Sequence, residues 1–189
     1  GHPNIVPVYA LEVAPGGTPA YTMKLVDGRT FHALLNEARD FFADGKWPDE
    51  NRSLAQRLEH FLNVCDAIAY AHDKGAIHRD LKPANLMLGR HNEVYVMDWG
   101  LCRILRQPDD TPPDKSMVMS TPDVSGSASE TQIGDVVGTP KYMSPEQAQG
   151  RNHELDARSD QCALGLILYE MVTLNPPYEG RTAYEVLAN

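Results

Sequence analysis

Between Ser53 and Gly75 the chain carries its longest regular pattern: Leu54, Leu58, Phe61, Leu62, Cys65, Ile68, Ala69 and His72 recur at steps of three and four residues. That period is the period of an α-helix, so the stretch has one apolar side and has to bury it against something else. Ser53 is a natural N-cap and Gly75 a natural stop. A second, more apolar helix is predicted from Ser159 to Thr173, ending before Asn175, Pro176 and Pro177, because proline cannot continue a helix. Helices of this kind need partners, and the rest of the chain offers both strands and shorter helices.

From Ile5 to Val13 apolar and β-branched residues dominate, APGGTP supplies turn chemistry, and Tyr21 to Val26 runs extended again, which reads as a β-hairpin. Gly16 and Gly17 are turn residues, since PGG has neither spacing of a phosphate-cradling loop. Asp27 and Gly28 form a bend, after which Thr30 caps a helix that carries Phe31, Leu34, Leu35 and Ala38 on one side. ADGKWPDENR is a polar connector. Glu93 to Met97 alternates like a short strand before a DWG turn, and Ser144 to Gln149 starts a helix behind Pro145. Residues 107–135 differ from all this: Pro, Asp, Ser, Thr and Met dominate, with acids far outnumbering the lone Lys115, so an acidic flexible loop is predicted.

Lys and Arg number 17 against 26 Asp and Glu, a formal charge of −9, which argues against a generic binder of nucleic acid or of anionic membrane. With 42% apolar and 23% charged residues among 189, the chain has material for a core, and its length suggests one domain or part of one. Cys65, Cys102 and Cys162 are odd in number and without CxxC spacing, which supports neither a disulfide framework nor a thiolate zinc site and fits a reducing, cytoplasmic compartment. The longest apolar stretch, Cys162 to Val172, is interrupted by Gly165 and Glu170 and reads as a buried helix rather than a membrane span. The chain opens GHPNIVPVY without a Met or a charged-then-apolar leader, which predicts no secretory signal and a piece excised from a longer protein. His32, His60, His72, His91 and His153 have no HxxxH or HExxH spacing, so no zinc is expected.

The chemistry is concentrated in His78, Arg79, Asp80, Leu81, Lys82, Pro83, Ala84, Asn85, then Asp98, Trp99, Gly100, then GTPKYMSPEQA from Gly138. In these motifs the chain resembles the eukaryotic-like (bacterial Hanks-type) protein serine/threonine kinases. The resemblance covers nearly the whole sequence. It implies an α+β, protein-kinase-like fold: residues 1–26 as the end of the N-lobe strands and hinge, 27–189 as a mostly helical C-lobe, and 98–146 as an activation segment with the acidic insert 107–135. It also implies ATP and Mg²⁺ as cofactors and protein Ser/Thr hydroxyls as acceptors.

Residue by residue, the resemblance makes Asp80 the acceptor of the substrate hydroxyl's proton and Lys82 a point charge that reaches the transferring phosphate. Asn85 and Asp98 supply hard oxygens suited to Mg²⁺. Thr139 has a catalytic-support role, because its hydroxyl can bond the catalytic Asp and Lys; Lys141 lies with it in the substrate-docking loop. Met23 gates the back of the adenine pocket, Lys24 and Val26 offer hinge backbone groups to adenine, and Met87 forms the floor below the base. Asp160 accepts bonds from the backbone around His78 and Arg79. Trp99 stands where the family usually has Phe, and its larger indole needs room beside His78 and a partner for its N–H. Arg79 faces a phosphorylated loop residue, with Thr131 the leading phosphosite and Ser125, Ser127 and Ser129 weaker candidates.

A glycine-rich loop, a strand lysine and a helix glutamate, which the family places upstream, do not occur in this sequence. Very low activity is therefore expected of this chain alone. An arginine partner for Glu146 is implied beyond Asn189. Two other readings stand beside a kinase: a non-catalytic scaffold, which has no need of Asp80, Lys82, Asn85 and Asp98 together, and a small-molecule phosphotransferase, disfavoured by a loop suited to an extended peptide.

Overall fold

A computed structural model describes residues 1–13, 17, 19–46, 49, 52–105, 138–180 and 185. The insert 107–135, with Ser125, Ser127, Ser129 and Thr131, and the turn residue Gly16 lie outside the described residues.

Strands β1 (Val8–Val13) and β2 (Pro19–Met23) pair antiparallel, with Leu11 opposite Tyr21. The predicted strand from Ile5 starts three residues later because the chain first serves another partner. Ile5 makes a parallel bridge with Val96, and the Val96 N–H donates to the Asn4 carbonyl at 2.7 Å. Pro7, which has no N–H to give, marks the change, and its carbonyl accepts the Lys24 N–H at 3.0 Å.

Strand β3 (Gly28–Thr30) runs directly into helix α1 (Phe31–Ala43). The Thr30 hydroxyl accepts the Ala33 N–H at 3.1 Å, so the predicted cap is in place, and Phe31, Leu34, Leu35 and Ala38 are the buried residues. Helix α2 (Leu54–Asp73) is capped by Ser53, which accepts the Gln56 N–H at 3.2 Å. Gly75 ends it with φ 73°, a left-handed value that glycine adopts without strain, and β4 (Ala76–Ile77) follows.

The buried face of α2 overlaps the predicted one only in part: Phe61 and Ile68 are buried, and Leu58 and Cys65 pack against the core. Arg57, His60, Phe61, Val64, Ala67, Ile68 and Ala71 face inward, whereas Leu54, Leu62 and Ala69 are exposed. Two polar residues on the inner face hid the true stripe from a count of apolar positions. Arg57 is tolerated there because its guanidinium donates to the Ser53 and Met171 carbonyls, at 3.3 and 2.5 Å.

Strands β5 (Leu86–Gly89) and β6 (Val94–Val96) complete a three-stranded antiparallel sheet of order β3-β5-β6. Gly28 is required by close approach, since a Cβ there would lie 1.8 Å from the Leu88 carbonyl oxygen. Strand β7 (Arg103–Ile104) pairs with β4. The short helix α3 (Pro145–Ala148) opens with a capping box in which Ser144 and Gln147 satisfy each other's backbone N–H groups. Helix α4 (Ala157–Thr173) begins two residues earlier than predicted, because Asp156 caps it through the Arg158 N–H at 2.8 Å. Ser159, the predicted start, is buried inside its first turn.

One core joins α1, α2, α4 and the three-stranded sheet through Leu34, Leu35, Val64, Ile68, Leu86, Val96, Ile167 and Met171. Each such large side chain contributes roughly 1.5–3 kcal/mol by leaving water. Helices packed around small antiparallel sheets make this an α+β fold. Among the described residues no helix is long and apolar enough to cross a membrane, and the three cysteines are half-buried free thiols.

Candidate active site

The loop after β4 owes its shape to one carboxylate. Asp160, buried in the first turn of α4, accepts the His78 N–H on Oδ2 at 2.8 Å and the Arg79 N–H on Oδ1 at 2.9 Å. His72 of α2 places Nε2 2.8 Å from the same Oδ2. Arg79 sits at φ 68°, a left-handed value that costs a non-glycine residue of order 1–3 kcal/mol. That strain is offset by the Asp160 bond to its N–H and by Gln147, whose side-chain amide donates to its carbonyl at 2.6 Å.

His78 is fully buried, and its two ring nitrogens do different work. Nε2 lies 2.9 Å from the Met97 carbonyl and Nδ1 accepts the Asp80 N–H at 3.3 Å, so the ring is a donor on one side and an acceptor on the other. That is the neutral tautomer. Burial pushes its pKa below the ordinary 6.5, against the opposing pull of the Met97 carbonyl and of Asp160, Asp80 and Asp98. Trp99 packs beside it with ring centroids 4.7 Å apart and the planes tilted by 57°, and its indole N–H donates to the Val96 carbonyl at 3.2 Å, so the indole finds both its room and its partner.

Asp80, 8% exposed, is the hub. Lys82 Nζ donates to its Oδ2 at 2.7 Å and to the Thr139 hydroxyl at 2.8 Å. Thr139 in turn donates its hydroxyl to Asp80 Oδ1 at 2.9 Å. Asn85, in the 3₁₀ turn Pro83–Asn85, donates its amide to the Asp80 carbonyl at 2.9 Å and to Oδ2 at 3.2 Å. Four predicted residues 59 positions apart at most therefore meet in one cluster. Because each carboxylate oxygen has two lone pairs, Oδ1, with one bond, keeps room for an incoming hydroxyl.

Asp98 is joined to this cluster through the backbone: the Met97 N–H donates to the Asn85 carbonyl at 2.8 Å. It is exposed, adopts φ 58° and ψ 65°, and its carboxylate bonds no described residue. The Asn85 amide nitrogen is committed to Asp80, which leaves its side-chain oxygen as the atom to offer outward. A bare carboxylate and a free amide oxygen are a hard-oxygen donor set that fits Mg²⁺, an ion that keeps several waters and takes few protein ligands.

The predicted adenine-binding residues make no side-chain hydrogen bond to the Asp80 cluster among the described residues. Met23 ends β2 opposite Val8 and is exposed, Lys24 Nζ bonds the Tyr95 hydroxyl, and the half-buried Met87 pairs with Tyr95 and Thr30 in the sheet. The Lys24 N–H is spent on Pro7, whereas the Lys24 carbonyl and the Val26 N–H accept or donate no bond among the described residues.

Sequence reasoning missed a second polar group. Glu170 of α4 is buried and holds Arg39 of α1 on Oε1 and the Tyr142 hydroxyl on Oε2, both at 2.5 Å. Burial, and then Glu170, push the Tyr142 hydroxyl far above its usual range. The signal was the one acid in the apolar stretch Cys162 to Val172, since Glu is almost never fully buried without a partner. Glu146, at the start of α3, is held below the ordinary carboxylate range by backbone N–H and the Ser144 side chain, with Arg151 and Arg158 adding to the effect.

A cavity of about 480 Å³ adjoins the cluster, walled by Lys82, Thr139, Lys141 and, from α1 and α4, His32, Arg39 and Glu170. A larger one of about 770 Å³ lies at the start of α2 and the end of α4, away from Asp80, where Arg57 is already committed to backbone carbonyls. The smaller cavity is the one that shares residues with the cluster.

The family model for the protein kinase domain matches residues 1–189. The chain is 35% identical to serine/threonine-protein kinase PknD of Protochlamydia amoebophila over 190 residues, covering 100% of this chain and 19% of that protein. It is 36% identical to serine/threonine-protein kinase PknB of Mycobacterium leprae over 188 residues, 98% of this chain and 25% of that one. With PknD of Chlamydia muridarum it shares 38% over 182 residues, 94% and 19% of the respective lengths. The chain thus spans a quarter or less of the length of these curated relatives.

Proposed function

The chain belongs to the protein kinase family, whose members in general use ATP and Mg²⁺, and from that premise we propose that it carries the catalytic loop of a serine/threonine kinase that transfers the γ-phosphoryl of ATP to protein hydroxyls. The observation that carries this reading is the Asp80 carboxylate held by Lys82, Thr139 and Asn85 with the bare Asp98 close by.

Asp80 Oδ1 orients the acceptor hydroxyl and takes its proton as the oxygen bonds to phosphorus and the bond to the ADP oxygen breaks. Thr139 and Asn85 fix the carboxylate so that this oxygen faces the cleft. Lys82, already bonded to Asp80 and Thr139, holds a positive charge beside the transferring group. Asn85 and Asp98 would hold Mg²⁺ through side-chain oxygens, where it would supply charge neutralisation for the phosphates. Adenine meets the Lys24 carbonyl and the Val26 N–H, with Met23 behind it and Met87 beneath. Residues 1–26, 27–189 and 98–146 are the strand-and-hinge, C-lobe and activation segments, Thr131 is the autophosphorylation site, and ATP use places the reaction in the cytoplasm.

In the complete gene product, Asp80→Asn is expected to lower phosphorylation of a Ser/Thr substrate by about 10²- to 10⁴-fold, with nucleotide binding retained. Unchanged transfer overturns the reading and favours a scaffold.

A further inference from the structure

We propose that the cleft beside Lys82 and Thr139 selects acceptor segments with an acidic side chain close to the phosphorylated hydroxyl, that Lys141 reads this acid, and that Arg39 turns basic segments away. The inference deepens the kinase reading and rests on it.

The argument is one of charge left over after pairing. In the wall of the 480 Å³ cavity the carboxylate is Glu170, whose side chain is 3% exposed. Arg39 and Tyr142 occupy its two oxygens, each at 2.5 Å. Arg39 also donates to Asn36 Oδ1 at 2.6 Å and to the Leu174 carbonyl at 2.5 Å, so the chain's own guanidinium stands where an incoming arginine would have to stand to reach Glu170. Asp80 is likewise committed to Lys82, Thr139 and Asn85. A basic segment therefore finds no free acid in the wall of this cavity.

The cations are not balanced in the same way. Lys82 is held by Asp80 and Thr139, but Lys141 bonds no described residue, in a chain whose net charge is −9. It lies two residues after Thr139, whose hydroxyl is 2.9 Å from Asp80. It lines the same cavity as Lys82 and Thr139, and because an extended segment advances about 3.3–3.6 Å per residue, the acid it reads is assigned to one or two positions from the acceptor hydroxyl. Attraction at a half-exposed site of this kind shifts affinity by up to about fivefold and weakens as salt rises.

Three fluorescent peptides that differ only in whether Glu, Gln or Arg flanks the serine test this by anisotropy on the chain at low and at high salt. The Glu peptide is expected to bind about fivefold more tightly than the Gln peptide, with the Arg peptide weakest and the differences fading at high salt. Lys141→Glu is expected to reverse the order, and Arg39→Leu, which frees Glu170, to strengthen the Arg peptide. Should Arg39→Leu fail to fold, Lys141→Glu, a substitution on the half-buried loop, decides. Equal binding of the three peptides, or an unchanged order in Lys141→Glu, overturns the inference. Phosphotransfer to the Gln peptide by the complete gene product reports on the kinase reading separately: no transfer defeats that reading, while the order of binding still decides the preference for acid.

Discussion

The loop that carries Asp80 and the hairpin that precedes it are held in opposite ways. In the loop, His78, Asp80 and Asn85 are buried polar residues, and each is held by bonds to α4, to Met97 just after β6 or to one another. In the hairpin, apolar Tyr9 and Val13 are 67% and 74% exposed, and cohesion comes from the β1-β2 ladder rather than from a core. The difference teaches where the chemistry is anchored. The site is placed by directed bonds to Asp160 on a helix that belongs to the core, and the hairpin adds little to that placement.

The sharpest way to break this contrast is Asp160→Ala. It leaves the buried His78 N–H, the half-buried Arg79 N–H and His72 without their acceptor, and a loss of about 3–5 kcal/mol is expected in urea denaturation. A loss below about 1 kcal/mol would mean that packing, not Asp160, holds the loop.

A smaller effect concerns pH. His78 and His60 are both buried, and burial lowers the pKa of each below the ordinary 6.5. The unfolded chain therefore binds more protons than the folded one as pH falls below about 6.5, and stability is present above that value and lost beneath it. The decline is expected to approach at most about 1.4 kcal/mol per pH unit for each histidine, and His78→Phe should flatten it. A thermal melt unmoved between pH 7 and 5.5 would contradict the neutral assignment.

The smallest effect completes the comparison. Val13→Ser in the hairpin is expected to change stability by no more than about 0.5 kcal/mol, because the residue is already in water. A loss as large as that of Asp160→Ala would erase the distinction between the two regions.

What the sequence disclosed follows the same division between local and distant causes. The start and the buried face of helix α1 were legible to the residue, because Thr30 caps it from three positions away and its apolar spacing is undisturbed. The face of α2 was legible only in part, because Arg57 and His60 are buried for reasons that lie on α4 and α1. The Asp80 cluster was readable through its motifs. The Arg39–Glu170 pair, 131 residues apart, belongs to no local pattern and became visible only when the fold brought α1 against α4.

The imidazole of His78 has a consequence for the two aspartates on either side of it. One edge grips the carbonyl that immediately precedes Asp98, and the other grips the amide of Asp80. A single rigid strut therefore spans the backbone beside Asp80 and beside the bare Asp98, so a displacement of either end is passed to the other, and the two are geared to travel in lockstep.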